Sequence, residues 1–167
     1  MIFVISWNSY NLRPMKILMV CLGNICRSPL AEGVMKKLLD ESNIVDWEVD
    51  SAGIGNWHNG DVPDPRAIAI AKRHGIDITG QRARQISRAD FDSFDYIFTM
   101  DLQNYKDAIA LTKNEIQKSR IHLLMDYAHP DQKIEVPDPY YSNLFEQSYQ
   151  LILEGCQAIL FNVYKST

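Results

Sequence analysis

The 167-residue chain predicts an α/β fold built on a parallel sheet. Three observations carry that prediction. Short apolar runs such as Ile17-Leu18-Met19-Val20 recur and alternate with segments of helical period. The first run is continuous and not alternating, as in a strand covered on both faces. It ends in Cys21-Leu22-Gly23-Asn24-Ile25-Cys26-Arg27-Ser28-Pro29, a loop with helix-start signals at its far end. Strand, loop and helix in this order open a doubly wound unit, whose ligands bind beyond the C-terminal strand ends.

Each element follows from local residues. Residues 15–21 read as a buried strand. Residues 29–43 read as an amphipathic helix with Leu30, Val34, Leu38, Met35 and Leu39 on its apolar face. Residues 47–52 form the second strand, closed by Gly53. The loop 53–63 is rich in Gly and Asn and carries Trp57 and His58. Asp64 is placed as an N-cap with Pro65 at N1, starting a helix through His74 that Gly75 stops. Residues 76–90 are irregular, and their cluster Arg82, Arg84 and Arg88 reads as a solvated face. Residues 96–100 are the third strand, with Asp101 placed to cap the next helix. Residues 121–124 are the fourth. A loop with Pro130, Pro137 and Pro139 leads to a final helix over 143–164. The sum is a four-stranded parallel sheet flanked by helices, in one domain over 15–167. The segment 1–14 is an N-terminal extension, read as a disordered tail or an extra edge strand; it makes a poor signal peptide because it lacks a basic start and a small-residue cleavage site.

Bulk properties narrow the function. Hydrophobic residues are 46% and charged residues 23%, ordinary for a globular domain. A net charge of −4 argues against nucleic acid as the main partner. Three cysteines, an odd number, do not make a disulfide framework, and they suit a reducing cytoplasm. The four histidines are scattered and offer no metal-ligand spacing with cysteine. No apolar run approaches the ~20 residues of a membrane span.

The loop at 21–29 carries the chemistry. Its amides lead into a helix N-terminus, where free N–H groups and the helix dipole favour an anion. A thiol there loses its proton easily, because the thiolate is the anion being stabilised. Arg27 adds a planar fork of donors suited to phosphate. Gly23 permits unusual backbone angles, and Asn24 tolerates the left-handed region. Ser28 either caps the helix, with Pro29 at N1, or hydrogen-bonds the Cys21 sulfur, or both. Asp138, in Pro137-Asp138-Pro139-Tyr140-Tyr141, is held on a stiffened loop; by itself it is either a turn residue or a positioned acid. Trp57, Tyr140 and Tyr141 lie in loops, as walls for a flat ring or as core residues. Cys156 falls in the last helix and reads as core.

The chain resembles the low-molecular-weight protein tyrosine phosphatases. The resemblance rests on Cys21 to Pro29, Asp50-Ser51-Ala52-Gly53, Pro63-Asp64-Pro65-Arg66, Phe94-Asp95-Tyr96 with Met100-Asp101, and Asp138-Pro139-Tyr140-Tyr141. It implies hydrolysis of phosphotyrosine-like aryl phosphates through a phosphocysteine, without metal or other cofactor. Cys21 would be the nucleophile, Arg27 the phosphate clamp and Asp138 the general acid. Amides of Leu22, Gly23, Asn24, Ile25, Cys26 and Ser28 would complete the oxyanion cradle. Trp57, Tyr140 and Tyr141 would wall the substrate ring. Cys26 stands where the family can form a disulfide with the nucleophile. Gln81 stands where many members carry histidine, and its amide is expected to hydrogen-bond Asn24 or Ser28 instead. Implied partners are phosphotyrosine-bearing proteins, bacterial tyrosine kinases among them for bacterial relatives, with inorganic phosphate or other oxyanions as inhibitors. An arsenate reductase on the same fold would need further relay cysteines. An arginine phosphatase of this family would carry Thr in place of Ile25. A silent phosphopeptide-binding module would have lost Cys21, Arg27 or Asp138, and all are present.

Overall fold

The computed structural model describes residues 14–165; the expected extension over 1–14 falls, but for Pro14, outside them. Four strands form one sheet in the order β2-β1-β3-β4. They are β1 (Met15–Cys21), β2 (Trp47–Gly53), β3 (Tyr96–Thr99) and β4 (Ile121–Leu123). All neighbouring pairs are parallel, with Met15 opposite Trp47, Cys21 opposite Gly53, Val20 opposite Thr99 and Ile97 opposite Ile121. The expected sheet is therefore present, with the third and fourth strands each one residue shorter than the sequence suggests.

Strand alternation divides the core. Ile17, Met19 and Cys21 point to one face, where they join Phe98 and the buried sides of α1 (Arg27–Glu41) and α7 (Phe145–Lys165). Leu18 and Val20 point to the other and pack with Phe91, Ile97 and Ala108, the last on α4 (Leu102–Ala110). Both faces of β1 are thus covered, which is why its sequence is apolar without alternation. On α1, Leu30, Val34, Met35 and Leu39 are buried as their spacing requires, and Leu38 packs at the edge of the same core.

The order β2-β1-β3-β4 reverses direction at β1, so a crevice opens beyond the C-terminal ends of β1 and β3. The loop after β1 lies in that crevice. Between the main helices are shorter elements: α2 (Pro65–Arg73), α3 (Asp90–Ser93), α5 (Glu115–Ser119), α6 (Pro139–Ser142) and a 3₁₀ turn at Leu124–Tyr127. The sequence reading placed α2 and left the others within loops. They are only 4 or 5 residues long, too short to show a helical period.

Candidate active site

Cys21 ends β1 with its side chain buried under the loop that follows. Two groups face its sulfur. Ser28 Oγ lies 3.0 Å from Sγ, and the Asn24 amide donates to Sγ over 3.3 Å. The loop reaches this shape because Asn24 adopts φ 57°, a left-handed angle that Asn accepts better than most residues. Its side chain is used in full. Nδ2 donates to Ser28 Oγ (2.8 Å) and Ser51 Oγ (3.0 Å), and Oδ1 accepts from the Arg84 amide (2.9 Å). Gly53, opposite Cys21, lets the loop lie directly on β2. A Cβ there would stand 3.0 Å from the backbone of Leu22, Gly23 and Asn24 at once.

Two expectations about this loop are corrected. Ser28 does not cap α1: the helix starts at Arg27, with Cys26 in the cap position and no side-chain cap bond. The Ser28 hydroxyl is taken by Cys21, Asn24 and, over 3.4 Å, the Ala52 carbonyl, which leaves it no part in capping. Gln81 reaches neither Asn24 nor Ser28. Its Nε2 donates to the Pro29 carbonyl (3.1 Å), and its buried Oε1 has no hydrogen-bond partner. Ser51 takes the place on Asn24 that Gln81 was expected to fill, because strand β2 brings it beside the loop. The basic cluster is also partly misread. Arg84 is half-buried and bridges Asp50 (2.8 Å) and Asp90 (3.0 Å), while Arg82 and Arg88 are exposed.

Arg27 is 2% exposed and held by three acceptors. Nη1 donates to Asp101 Oδ2 (2.6 Å) and the Val136 carbonyl (3.1 Å), and Nη2 donates to Asp138 Oδ2 (3.0 Å). Burial opposes the guanidinium charge. Charge on Cys21, the Asp101 hydrogen bond and Asp138 outweigh it and hold the Arg27 pKa above its ordinary value. Asp101 does two jobs. It caps α4 as expected, accepting from the Asn104 amide (2.6 Å), and it also anchors Arg27. The second role was not legible, since 74 residues separate the partners.

Asp138 N-caps α6, accepting from the Tyr140 amide over 3.1 Å with Pro139 at the first helical position. Its loop is strapped to the start of α2. Arg66 donates to the Tyr140 carbonyl (3.2 Å) and Asn143 Oδ1 (3.0 Å) while ion-paired to Asp64 (2.9 Å). Asp64 caps α2 as expected.

A cleft of about 340 Å³ lies over the sulfur, with Cys21, Arg27 and Asp138 at its floor and rim. Trp57, Tyr140 and Tyr141 line it, together with Ile25 and His58. Trp57 is 68% and Tyr141 92% exposed, so neither is a core residue. Tyr140 and Tyr141 meet edge to face at 4.8 Å. Gly55 makes room for the Trp57 ring: a Cβ there would fall 1.8 Å from Trp57 Cζ3. His58 was not singled out as a site residue. It turns toward Gly23 and holds Asp61 through Nδ1 (3.0 Å).

Cys26 is buried in the same loop, and burial, with Asp64, Cys21 and Asp138 nearby, pushes its thiol pKa up. Cys156 is fully buried beside the Ala31 carbonyl, as a core residue should be. All three cysteines are free.

A parallel sheet with a thiol at the end of its first strand, an anion-binding loop entering a helix, and a buried arginine closing that loop defines a cysteine-dependent phosphatase scaffold. Comparison with known proteins makes the assignment specific. Residues 16–167 match the family model described as low molecular weight phosphotyrosine protein phosphatase, and the chain belongs to that family. It is 43% identical over 152 residues to the low molecular weight phosphotyrosine protein phosphatase of Sus scrofa, covering 88% of this chain and 94% of the relative. The crystal structure of YfkJ from Bacillus subtilis superposes with a TM-score of 0.88 at 40% identity, covering 95% of this chain and 99% of that one. The crystal structure of DARP, drosophila arginine phosphatase, superposes with a TM-score of 0.81 at 38% identity, covering 89% and 98%.

Proposed function

We propose that this chain hydrolyses phosphotyrosine-like aryl phosphate monoesters through a phosphocysteine on Cys21. The observation that carries the reading is the Cys21 sulfur, faced by Ser28 and the Asn24 amide at the end of β1, with Arg27 closing the loop around it. The sulfur attacks phosphorus as the bond to the aryl oxygen breaks. Amides from Leu22 to Ser28, with Arg27, hold the three remaining oxygens, where charge spreads in the transition state. Asp138 gives its proton to the departing aryl oxygen. It then takes a proton from the water that attacks phosphorus, and the sulfur leaves as thiolate toward the Ser28 hydroxyl.

The Arg27–Asp138 pair gives these steps an order. Asp138 shares Nη2 of Arg27 in the structure described here. A phosphoryl dianion competes for the same donor. As Arg27 turns to the phosphate, the Asp138 carboxyl is released from Nη2 at the rim of the cleft, where the aryl oxygen departs.

The cleft favours an aryl group. Trp57, Tyr140 and Tyr141 offer ring faces and edges, and Ile25 lines the cleft beside them. This separates the reading from arginine phosphatase chemistry, which the likeness to DARP raises; Ile25 is larger and less polar than the Thr expected there. Arsenate reduction lacks a cysteine relay, because Cys156 is sealed in the core. Partners would be phosphotyrosine-bearing proteins, with a bacterial tyrosine kinase one class of them, and phosphate or similar oxyanions would inhibit. A reducing cytoplasm suits a nucleophile that must stay a free thiol. No helix among the described residues is long and apolar enough to cross a membrane.

The test is Cys21→Ser against a panel of aryl phosphate, phosphoarginine and arsenate. Turnover of aryl phosphate should vanish while phosphotyrosine binding stays measurable, since the amides and Arg27 supply most of the affinity. Turnover within tenfold of wild type would remove Cys21 as the nucleophile.

A further inference from the structure

We infer that Arg66 is a positioning residue that sets where the Asp138 carboxyl stands over the Cys21 loop. The inference rests on the phosphatase reading above, with Asp138 as the acid. Arg66 closes the run Pro63-Asp64-Pro65-Arg66. Capping of α2 accounts for Asp64 and Pro65 in that run, and not for the arginine side chain. Arg66 is not among the residues that line the cleft, so its effect on the chemistry passes through others.

The guanidinium is a bracket between the two walls of the cleft. Its Nε and Nη2 donate to the two oxygens of Asp64, over 3.0 and 2.9 Å. Asp64 is itself fixed to the Cys21 loop, since its amide donates to the Ile25 carbonyl (2.8 Å). This two-point pairing turns Nη1 toward the acid loop, where it holds the Tyr140 carbonyl (3.2 Å) and Asn143 Oδ1 (3.0 Å). The cation also lies 4.8 Å from the ring centre of Phe145, at the start of α7. Residues before Asp138 have other anchors: Val136 bonds Met100 and Arg27, and Ser148 bonds the Pro137 carbonyl. Among the described residues, the hydrogen bonds that reach 139–144 from outside 137–148 come from Arg66 alone. Asp138 has two side-chain restraints, Arg27 Nη2 and the Tyr140 amide. Once phosphate claims Nη2, the Tyr140 amide remains, and Arg66 holds that same residue by its carbonyl. The pair with Asp64 is 42% exposed on the arginine side, so it adds little to stability; what it supplies is direction.

Arg66→Lys tests this with charge preserved. The backbone amide that Asp64 caps is kept, but an ammonium is a point charge without the fork that spans Asp64 and the acid loop. The readout is kcat/KM over aryl phosphates of graded leaving-group pKa. Poor leaving groups should lose about 10–100-fold, the cost of a displaced acid, and good ones less than about threefold. Inhibition by inorganic phosphate should stay within about threefold, because Arg27 and the loop amides are untouched. Asn143→Gly is the second variant and decides the matter if Arg66→Lys does not fold. Asn143 has φ 62°, which glycine adopts freely, so only the side-chain acceptor is lost. It should show the same leaving-group pattern at about 2–10-fold, the scale of one hydrogen bond. The deciding arm repeats each substitution in an Asp138→Asn background. With no acid to place, the further loss should fall within about twofold. A loss that is equal for all leaving groups, or that persists undiminished in the Asp138→Asn background, would overturn the inference and leave Arg66 a support of the fold. So would full activity of both variants on poor leaving groups. If Asp138→Asn alone leaves the series flat, the acid reading has failed, and the inference falls with it.

Discussion

Asp138→Asn should produce two effects of opposite sign. The first is on chemistry. The amide has no proton to give, so substrates with poor leaving groups should lose about 10²–10⁴-fold in kcat, the usual share of a positioned general acid. The loss should shrink toward unity as the leaving-group pKa falls, because a good leaving group departs without protonation. The second effect is on binding. The Asp138 side chain is 40% exposed and pairs with an Arg27 that retains Asp101 and the Val136 carbonyl. An ion pair open to solvent to that degree contributes about 0–1 kcal/mol. Removing it frees Nη2 and removes a negative charge beside the incoming dianion. Phosphate should therefore inhibit the variant up to about fivefold more tightly, which is 1 kcal/mol in a binding constant. The loop should hold its shape, since asparagine Oδ1 still accepts from the Tyr140 amide in the cap position. The assay is steady-state hydrolysis of aryl phosphates spanning several pKa units, with phosphate inhibition measured in parallel. Equal loss across the series would make Asp138 a turn residue. Weaker phosphate inhibition would mean that it scaffolds the loop and does not compete for Arg27.

Three further outcomes are expected. Trp57→Ala should raise KM for phosphotyrosine peptides by up to about tenfold, the value of one ring contact, with phosphate inhibition unchanged; parallel weakening of both would make Trp57 a support for the loop. Peroxide should inactivate the enzyme and dithiol restore it, and Cys26→Ser should recover less completely, because it lacks a neighbour to trap the oxidised sulfur before it advances further; equal recovery, measured as activity after matched exposure, would rule out a protective disulfide. Burial holds the His122 pKa below 6.5, with Asp126 opposing weakly, so the unfolded chain takes up this proton first as pH falls. Stability should then decline from about pH 6.5 downward, until the folded form is protonated too, and urea titrations at pH 7 and 5.5 should show a smaller decline for His122→Gln.

Local residues carried the scaffold and the candidate site groups. The continuous apolar run of β1 marks a strand covered on both sides, and Asp64-Pro65 and Asp101 mark helix starts through bonds that span only a few residues. Cys21, Arg27 and the loop amides were legible together because they sit within one turn-rich segment whose backbone must enter a helix. Aromatic residues flanking Asp138 suggested walls, and they do line the cleft. What stayed hidden were the partners supplied by other strands and loops. Ser28 reads equally as a cap or as a partner of the Cys21 sulfur, and only the folded loop shows that Cys21 and Asn24 occupy its hydroxyl and that the cap is absent. Arg84 reads as a surface charge until β2 presents Asp50 and the start of α3 presents Asp90. Gln81 stands in the right place along the chain but turns to Pro29, and Ser51 takes up the Asn24 donor. Asp101 and Asp138 converge on Arg27 only after β3 and the loop before α6 fold beside β1. Periodicity and turn chemistry act over a few residues, so one chain segment specifies them. Pairing of buried charges depends on which strand ends meet across the sheet, and only the folded topology decides that.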